Sequence, residues 1–160
     1  MAFPDTQQAV KLLSYPVGAP RVDDFGVTRR SLPLRVAGQV LLRTHLLSLD
    51  PYLRPLLAGR YVTPRPDLDS VVPGMGLARV VQSDLQGVAV GEWVVGETGW
   101  CEYAVADAAT LRRVDPAMAP PSTALGVLGI PGLAAWAGLG SIGQPQKGET
   151  VLVSTATGAV

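Results

Sequence analysis

The sequence predicts a turn-rich, mostly β domain with short helices, followed by the first helix and strand of an α/β unit. Two observations carry the β part. Eighteen glycines and fourteen prolines are spread along 160 residues and form no low-complexity tract. Between them lie short apolar runs rich in β-branched residues, which is the pattern of half-buried strands closed by turns. The third observation is a change of character near Pro120, where an Ala/Leu/Gly-rich stretch of helical type begins.

Taken in order, extended segments are expected around Val10 to Tyr15, Phe25 to Arg30 and Gln39 to Leu46, separated by proline and glycine. Asp50 to Leu57 predicts a short helical turn, with Asp50 as cap, Pro51 at the first helical position and Pro55 limiting it. Tyr61 to Ser70 holds Pro64, Pro66, Asp67 and Asp69 and reads as a surface loop. Four further strands are expected at Leu77 to Gln82, Trp93 to Gly96, Glu102 to Ala106 and Leu111 to Val114. The helical stretch LGVLGIPGLAAWAGLGSIG is expected to break at Pro131. Gly148 and Glu149 then lead into TVLVSTATGAV, which reads as a buried β-branched strand running into a small-residue turn. Such a strand needs neighbours on both sides, so residues from about Pro121 onward look like an unfinished unit.

Composition narrows the function. The chain is 48% hydrophobic and 16% charged, enough apolar material for one well-buried core. Thirteen basic residues balance thirteen acidic ones, which argues against a nucleic-acid or anionic-membrane partner and for a small neutral ligand. The opening MAFPDTQQAVKLLSY lacks the basic start and apolar run of a secretory signal, and no run approaches the length of a membrane span. A soluble, cytoplasmic protein is therefore expected. Cys101 and His45 are each the sole residue of their type, which excludes an internal disulfide and any multi-cysteine metal site. A hydrolase triad has no support either, since no serine sits in a nucleophile-elbow sequence.

Three stretches together carry a resemblance: GQVLLRTHLLSLDPYLR (Gly38 to Arg54), LGVLGIPGLAAWAGLGSIGQPQKGETVLV (Leu125 to Val153) and STATGAV (Ser154 to Val160), with YPVGAP at Tyr15 to Pro20 ahead of them. In order and spacing they resemble the zinc-independent medium-chain dehydrogenase/reductase superfamily, in the branch of prostaglandin and leukotriene reductases, plant double-bond reductases and bacterial curcumin reductases. The resemblance implies a GroES-like substrate domain over residues 1–122 and the start of a Rossmann NADP-binding domain over 123–160, cut off inside the phosphate-binding turn. It also implies NADPH-dependent reduction of the carbon-carbon double bond of α,β-unsaturated ketones or aldehydes, with full-length members forming homodimers.

Zinc members of the superfamily place a cysteine after the third strand and a His-Glu pair after a Pro-Gly. Here Leu47 and Ser48 stand near the first place, and Met75 and Gly76 follow Pro73 and Gly74 at the second. None is a usual zinc ligand, so no metal is expected and a hydrogen-bond donor must hold the substrate oxygen. The resemblance gives that role to Tyr52 of the DPY motif, because a phenol donates to an oxyanion without ionising at neutral pH. It implies cofactor contacts at Pro51 and, near the nicotinamide end, at Ile130 and at Ala134, where relatives often carry threonine. It also implies contacts at Thr157, Gly158, Ala159 and Val160. Read as residues alone, Ala156 to Ala159 place small side chains where a backbone would approach a pyrophosphate.

The remaining candidates have bland readings. Arg54 is expected to pair with a carboxylate or a carbonyl, Trp93 and Trp100 to pack in the core, with Trp100 alternatively lining the pocket, and Cys101 to act as a small buried hydrophobe. Two other classes of function stay open: a non-catalytic fragment whose cofactor site does not form, and a GroES-like binding or interaction module.

Overall fold

A computed structural model of the chain describes residues 3–155 and 157–160. Strands β1 (Thr6–Leu12) and β2 (Phe25–Ser31) form an antiparallel pair with Leu12 opposite Phe25. The other five strands are β3 (Gln39–Leu47), β4 (Met75–Gln82), β5 (Trp93–Glu97), β6 (Tyr103–Asp107) and β7 (Arg112–Val114). They build one antiparallel sheet in the order β6-β3-β4-β5-β7. An antiparallel bridge between Ala9 and Cys101 joins β1 to the region just before β6.

The central strands have no clean in-out alternation, because the sheet is covered on both faces. On one face Val40, Leu42, Ala78, Val80 and Val94 make a closed cluster. On the other, Leu77 and Val95 pack against Ala124 of a 3₁₀ turn at Pro121–Leu125. A third cluster, Leu12, Leu57 and Val72, fastens β1 to the first helix. Burying a Leu or Val side chain of this kind contributes about 1.5–3 kcal/mol.

Six of the seven strands lie within two residues of their expected bounds. The first does not: β1 starts at Thr6 and ends at Leu12, since Leu13 and Ser14 turn away to donate their N–H groups to the Asp24 carbonyl. The Tyr61 to Ser70 segment has no regular structure and is almost wholly exposed, as a loop rich in proline and aspartate should be.

Both helices correct the expected role of proline. Helix α1 runs Leu53–Leu57 with Tyr52, not Asp50, at the N-cap, so Pro51 lies outside it and Pro55 inside. Pro55 occupies the third helical position, where its missing N–H would have had no intrahelical partner, and it therefore does not end the helix. Helix α2 runs Ile130–Trp136 with Pro131 at its second residue. There the ring's fixed φ suits a first turn, so Pro131 opens a helix instead of breaking one. Wide π-helical turns continue it over Ala137–Gly143, where three glycines weaken side-chain support. The expected strand at Val151 to Val153 is exposed and pairs with nothing among the described residues, so its β-branched pattern has no ladder to complete.

Candidate active site

The site begins at the turn between β3 and α1. Buried Ser48 donates its N–H to the Met75 carbonyl at 2.8 Å and its hydroxyl to Asp50 Oδ2 at 2.6 Å. The Asp50 carbonyl in turn accepts from Leu53 N at 3.1 Å, which tightens the chain into α1. Ser48 thus fixes both the carboxylate of Asp50 and the approach of β3 to β4. The three buried leucines of α1, Leu53, Leu56 and Leu57, hold the helix down and set where Tyr52 projects.

Tyr52 is half-buried and stacks on Tyr61, with ring centroids 5.5 Å apart and planes tilted by 35°. Burial raises its phenol above the ordinary tyrosine value, and the carboxylate of Glu97 adds to this, with smaller contributions from Asp50 and Tyr61; a hydrogen bond from the Met75 backbone opposes them. The phenol is therefore a donor that keeps its proton.

Gly74 organises the opposite wall. Its N–H donates to Glu97 Oε1, while its carbonyl accepts from Thr98 N at 3.1 Å and Gly99 N at 3.0 Å. A side chain at Gly74 would put its Cβ 3.0 Å from Trp100 Nε1. That indole N–H is buried without a hydrogen-bond partner, and the ring stacks on Phe25 at 5.8 Å beside the cluster of Leu12, Leu57 and Val72.

Next to the Asp50 turn lies a cleft of about 330 Å³ between the sheet and α2. Asp50, Met75, Val95 and Arg112 form one wall, and Leu125, Leu128, Ile130 and Leu133 form the other. Its lining is apolar apart from one carboxylate and one guanidinium, and its volume sits at the small end of ligand pockets. Arg112 Nη2 donates to the Ala124 carbonyl at 2.8 Å, which ties β7 to the 3₁₀ turn and keeps the two walls together.

Of the residues expected at the site, Ile130 alone lines this cleft. Tyr52 does not line it, but two of its lining residues, Asp50 and Met75, are among the groups that act on the Tyr52 phenol. Pro51 and Ala134 are exposed, as are Thr157, Gly158, Ala159 and Val160, and none of these six borders the cleft. The remaining small residue of that turn, Ala156, lies outside the described residues. Glu97, Arg112 and Asp50 are site residues that sequence reasoning missed. Asp50 was visible in the DPY turn, but it reads locally as a helix cap. Glu97 and Arg112 are strand residues whose meaning depends on partners far along the chain.

The other candidates settle into structural positions. Arg54 donates through Nη2 to the carbonyls of Pro16 and Gly18, so of the two expected partners, a carboxylate or a carbonyl, the contact is to carbonyls. Trp93 sits between the Arg79 guanidinium, 5.2 Å from its ring centre, and the edge of His45 at 4.8 Å. The Cys101 thiol donates to the carbonyls of Thr98 and Tyr103, and burial raises it above the ordinary thiol value. Among the described residues no three His, Cys, Asp or Glu side chains gather in one place, and no helix is long and apolar enough to cross a membrane.

The model of the N-terminal domain of oxidoreductase matches residues 8–114. The NADPH-dependent curcumin reductase of Escherichia coli (strain K12) is 41% identical over 150 residues, which cover 93% of this chain and 44% of that protein. The 2-alkenal reductase (NADP(+)-dependent) of Nicotiana tabacum is 35% identical over 167 residues, covering 100% of this chain and 48% of that protein. Among solved structures, CurA from Vibrio vulnificus in complex with NADPH superposes with a TM-score of 0.87 at 39% identity, covering 95% of this chain and 45% of that one. The chain spans about half the length of the curated relatives it matches.

Proposed function

The chain belongs to the oxidoreductase family whose N-terminal domain its residues 8–114 match, in the double-bond-reductase branch of the medium-chain dehydrogenases/reductases, and from that premise we propose that it serves the NADPH-dependent reduction of α,β-unsaturated ketones or aldehydes. The observation that carries the reading is the half-buried phenol of Tyr52 on the Ser48–Asp50 turn, acted on by Asp50 and Met75, two residues of the apolar cleft. In this reading residues 1–122 hold the substrate, residues 123–160 begin the cofactor domain, and no zinc takes part.

The residues present suit one end of the cofactor. Ile130, Leu133 and Val95 give the cleft an apolar lining of the kind a nicotinamide ring needs, and Asp50 and Arg112 supply its polar groups. The pyrophosphate end is different. Thr157, Gly158, Ala159 and Val160 are exposed, and the Gly158 N–H is occupied by the Thr155 carbonyl at 2.8 Å. No step is therefore assigned to that turn. A reduced nicotinamide, when bound, would supply the hydride for the β-carbon of the substrate, and a proton taken from solvent at the α-carbon would complete the reduction.

Tyr52 holds the substrate's carbonyl by a hydrogen bond from its hydroxyl and strengthens that bond as negative charge develops on the oxygen. Burial keeps the proton on the phenol, so Tyr52 stabilises the oxygen as a donor and does not itself ionise. Val95, Leu128 and Leu133 give the reacting bond an apolar surface on one side.

Titration with NADPH, followed by cofactor fluorescence or calorimetry, tests the cofactor part: micromolar binding supports it, and absence of binding removes it. For the substrate part, Tyr52→Phe is expected to lower enone turnover about 100-fold or more, the size of one lost oxyanion donor, with NADPH affinity nearly unchanged. Undiminished turnover would take Tyr52 out of the mechanism. A second reading, a binding module, is favoured by the exposure of Ile130, Leu133 and Trp136 along α2. Absence of NADPH binding together with self-association would support it.

A further inference from the structure

We propose that the concavity between the end of α1 and the loop after β1 binds a compact, doubly charged oxyanion, a phosphate or a phosphate monoester. It measures about 550 Å³ and shares no lining residue with the cleft beside α2. Three of its nine described lining residues are arginines, Arg54, Arg60 and Arg65, and none is acidic. In a chain of thirteen basic and thirteen acidic residues, this grouping does not come from an overall excess of positive charge.

The turn that ends α1 gathers them. Gly59 N donates to the Leu56 carbonyl at 3.0 Å and Arg60 N to the Pro55 carbonyl at 2.8 Å, while Gly59 takes a φ of +69°, the left-handed conformation that reverses a chain at a helix end. Arg60 and Arg65 thereby come to the same hollow as Arg54. A Cβ at Gly59 would lie 3.3 Å from Arg65 Cδ, so the glycine also makes room for that side chain.

Neutral groups hold two of the guanidiniums and leave their charge standing. Arg54 Nη2 donates to the Pro16 and Gly18 carbonyls. The Arg65 guanidinium lies 3.8 Å from the centre of the Tyr15 ring, whose hydroxyl donates to the Pro66 carbonyl at 3.2 Å. None of the three arginines is in an ion pair among the described residues. Asp24, the acidic residue on which Arg54 acts, lies outside the pocket lining and already accepts from Ser14 Oγ at 2.6 Å and Arg21 N at 2.7 Å. Arg54 Nη1 is buried with no hydrogen-bond partner, so this guanidinium keeps donor capacity that the protein leaves unmet. Three cations around one hollow repel each other, and a bound anion relieves that repulsion. A tetrahedral dianion can face several guanidiniums at once, each offering paired N–H donors.

The whole chain is titrated with inorganic phosphate at pH 7.5, at an ionic strength held constant with sodium chloride, and the amide resonances of Val17, Gly18, Ala58 and Arg60 are followed by NMR. Saturable shifts at these positions are expected. The dissociation constant is expected to rise about two- to fivefold in Arg60→Gln and likewise in Arg65→Gln, the range for exposed charge pairs. Both side chains are exposed, and Arg60→Gln alone decides the matter if Arg65→Gln disturbs Tyr15. Shifts that grow linearly with phosphate, or a constant unchanged by Arg60→Gln, overturn the proposal. Acetate binding as tightly as phosphate overturns it too, because the site then does not select a double charge. Glycerol 1-phosphate separates the two sources: binding at least as tight as that of inorganic phosphate assigns the pocket to an organic phosphate, and weaker binding assigns it to the free ion.

Discussion

Arg54 donates through Nη2 to the carbonyl oxygens of Pro16, at 3.4 Å, and Gly18, so a helix residue pins the loop that follows β1 from 38 and 36 positions away. Arg54→Ala is expected to destabilise the fold by about 1–3 kcal/mol, the range for hydrogen bonds from a charged donor. Arg54→Lys is not expected to restore it, since the shorter lysine side chain does not carry an N–H as far as Nη2. Denaturant unfolding of the three proteins measures both outcomes.

Gly76 predicts a steric limit at the edge of the site. A Cβ there would lie 2.2 Å from Thr98 Oγ1 and 3.2 Å from the Leu46 carbonyl. Gly76→Ala is therefore expected to cost about 1–3 kcal/mol through overpacking. Combining it with Thr98→Ala should recover part of the loss, because the nearest obstacle is the hydroxyl. Additive losses in the double variant would show that the backbone, not Thr98, sets the limit.

The two contacts mark how far the sequence could be read. The sequence left Arg54 a carboxylate or a carbonyl as partner, and which of them it meets depends on a loop closing onto α1. Gly76 carries no local signal at all. Its φ is not in the left-handed region, and its requirement comes from Thr98, just past the end of the neighbouring strand β5.

Cys101 should be a slow thiol. Its Sγ–H is shared between the carbonyls of Thr98 and Tyr103, each at 3.0 Å, and burial raises its ionisation above the ordinary range. At pH 8 the native protein is expected to react with a disulfide reagent at least about tenfold more slowly than the unfolded chain, since only the thiolate attacks. Equal rates would mean that the site opens freely around β6.

Asp24 should titrate below the ordinary aspartate value. It accepts from Ser14 Oγ at 2.6 Å and from Arg21 N at 2.7 Å, and these bonds favour the carboxylate. Because the folded value is depressed, its contribution is present above the unfolded pKa of about 3.9 and is lost as pH falls through the folded value. A carbon-detected titration should place the Asp24 midpoint below that of a free aspartate, and Ser14→Ala should move it up. A midpoint unaffected by Ser14→Ala would assign the shift to Arg21 instead.

Strand positions were legible because alternation and turn residues are local properties. The runs around Gln39, Leu77, Trp93 and Leu111 carry them within a few neighbours, and β3, β4, β5 and β7 appear where those runs stand. The family resemblance was likewise carried by residues contiguous in the chain. What the tertiary structure decided are the relations that run across it. Pro55 and Pro131 sit inside helices because packing of Leu53, Leu56 and Leu57, and the approach of α2 to the sheet, placed them in first turns where proline is cheap. Val151 to Val153 has strand chemistry but no neighbour to pair with, and without a ladder the pattern makes no strand. The place of Glu97 has the same origin: its carboxylate meets the Gly74 N–H across 23 residues, through β4–β5 pairing.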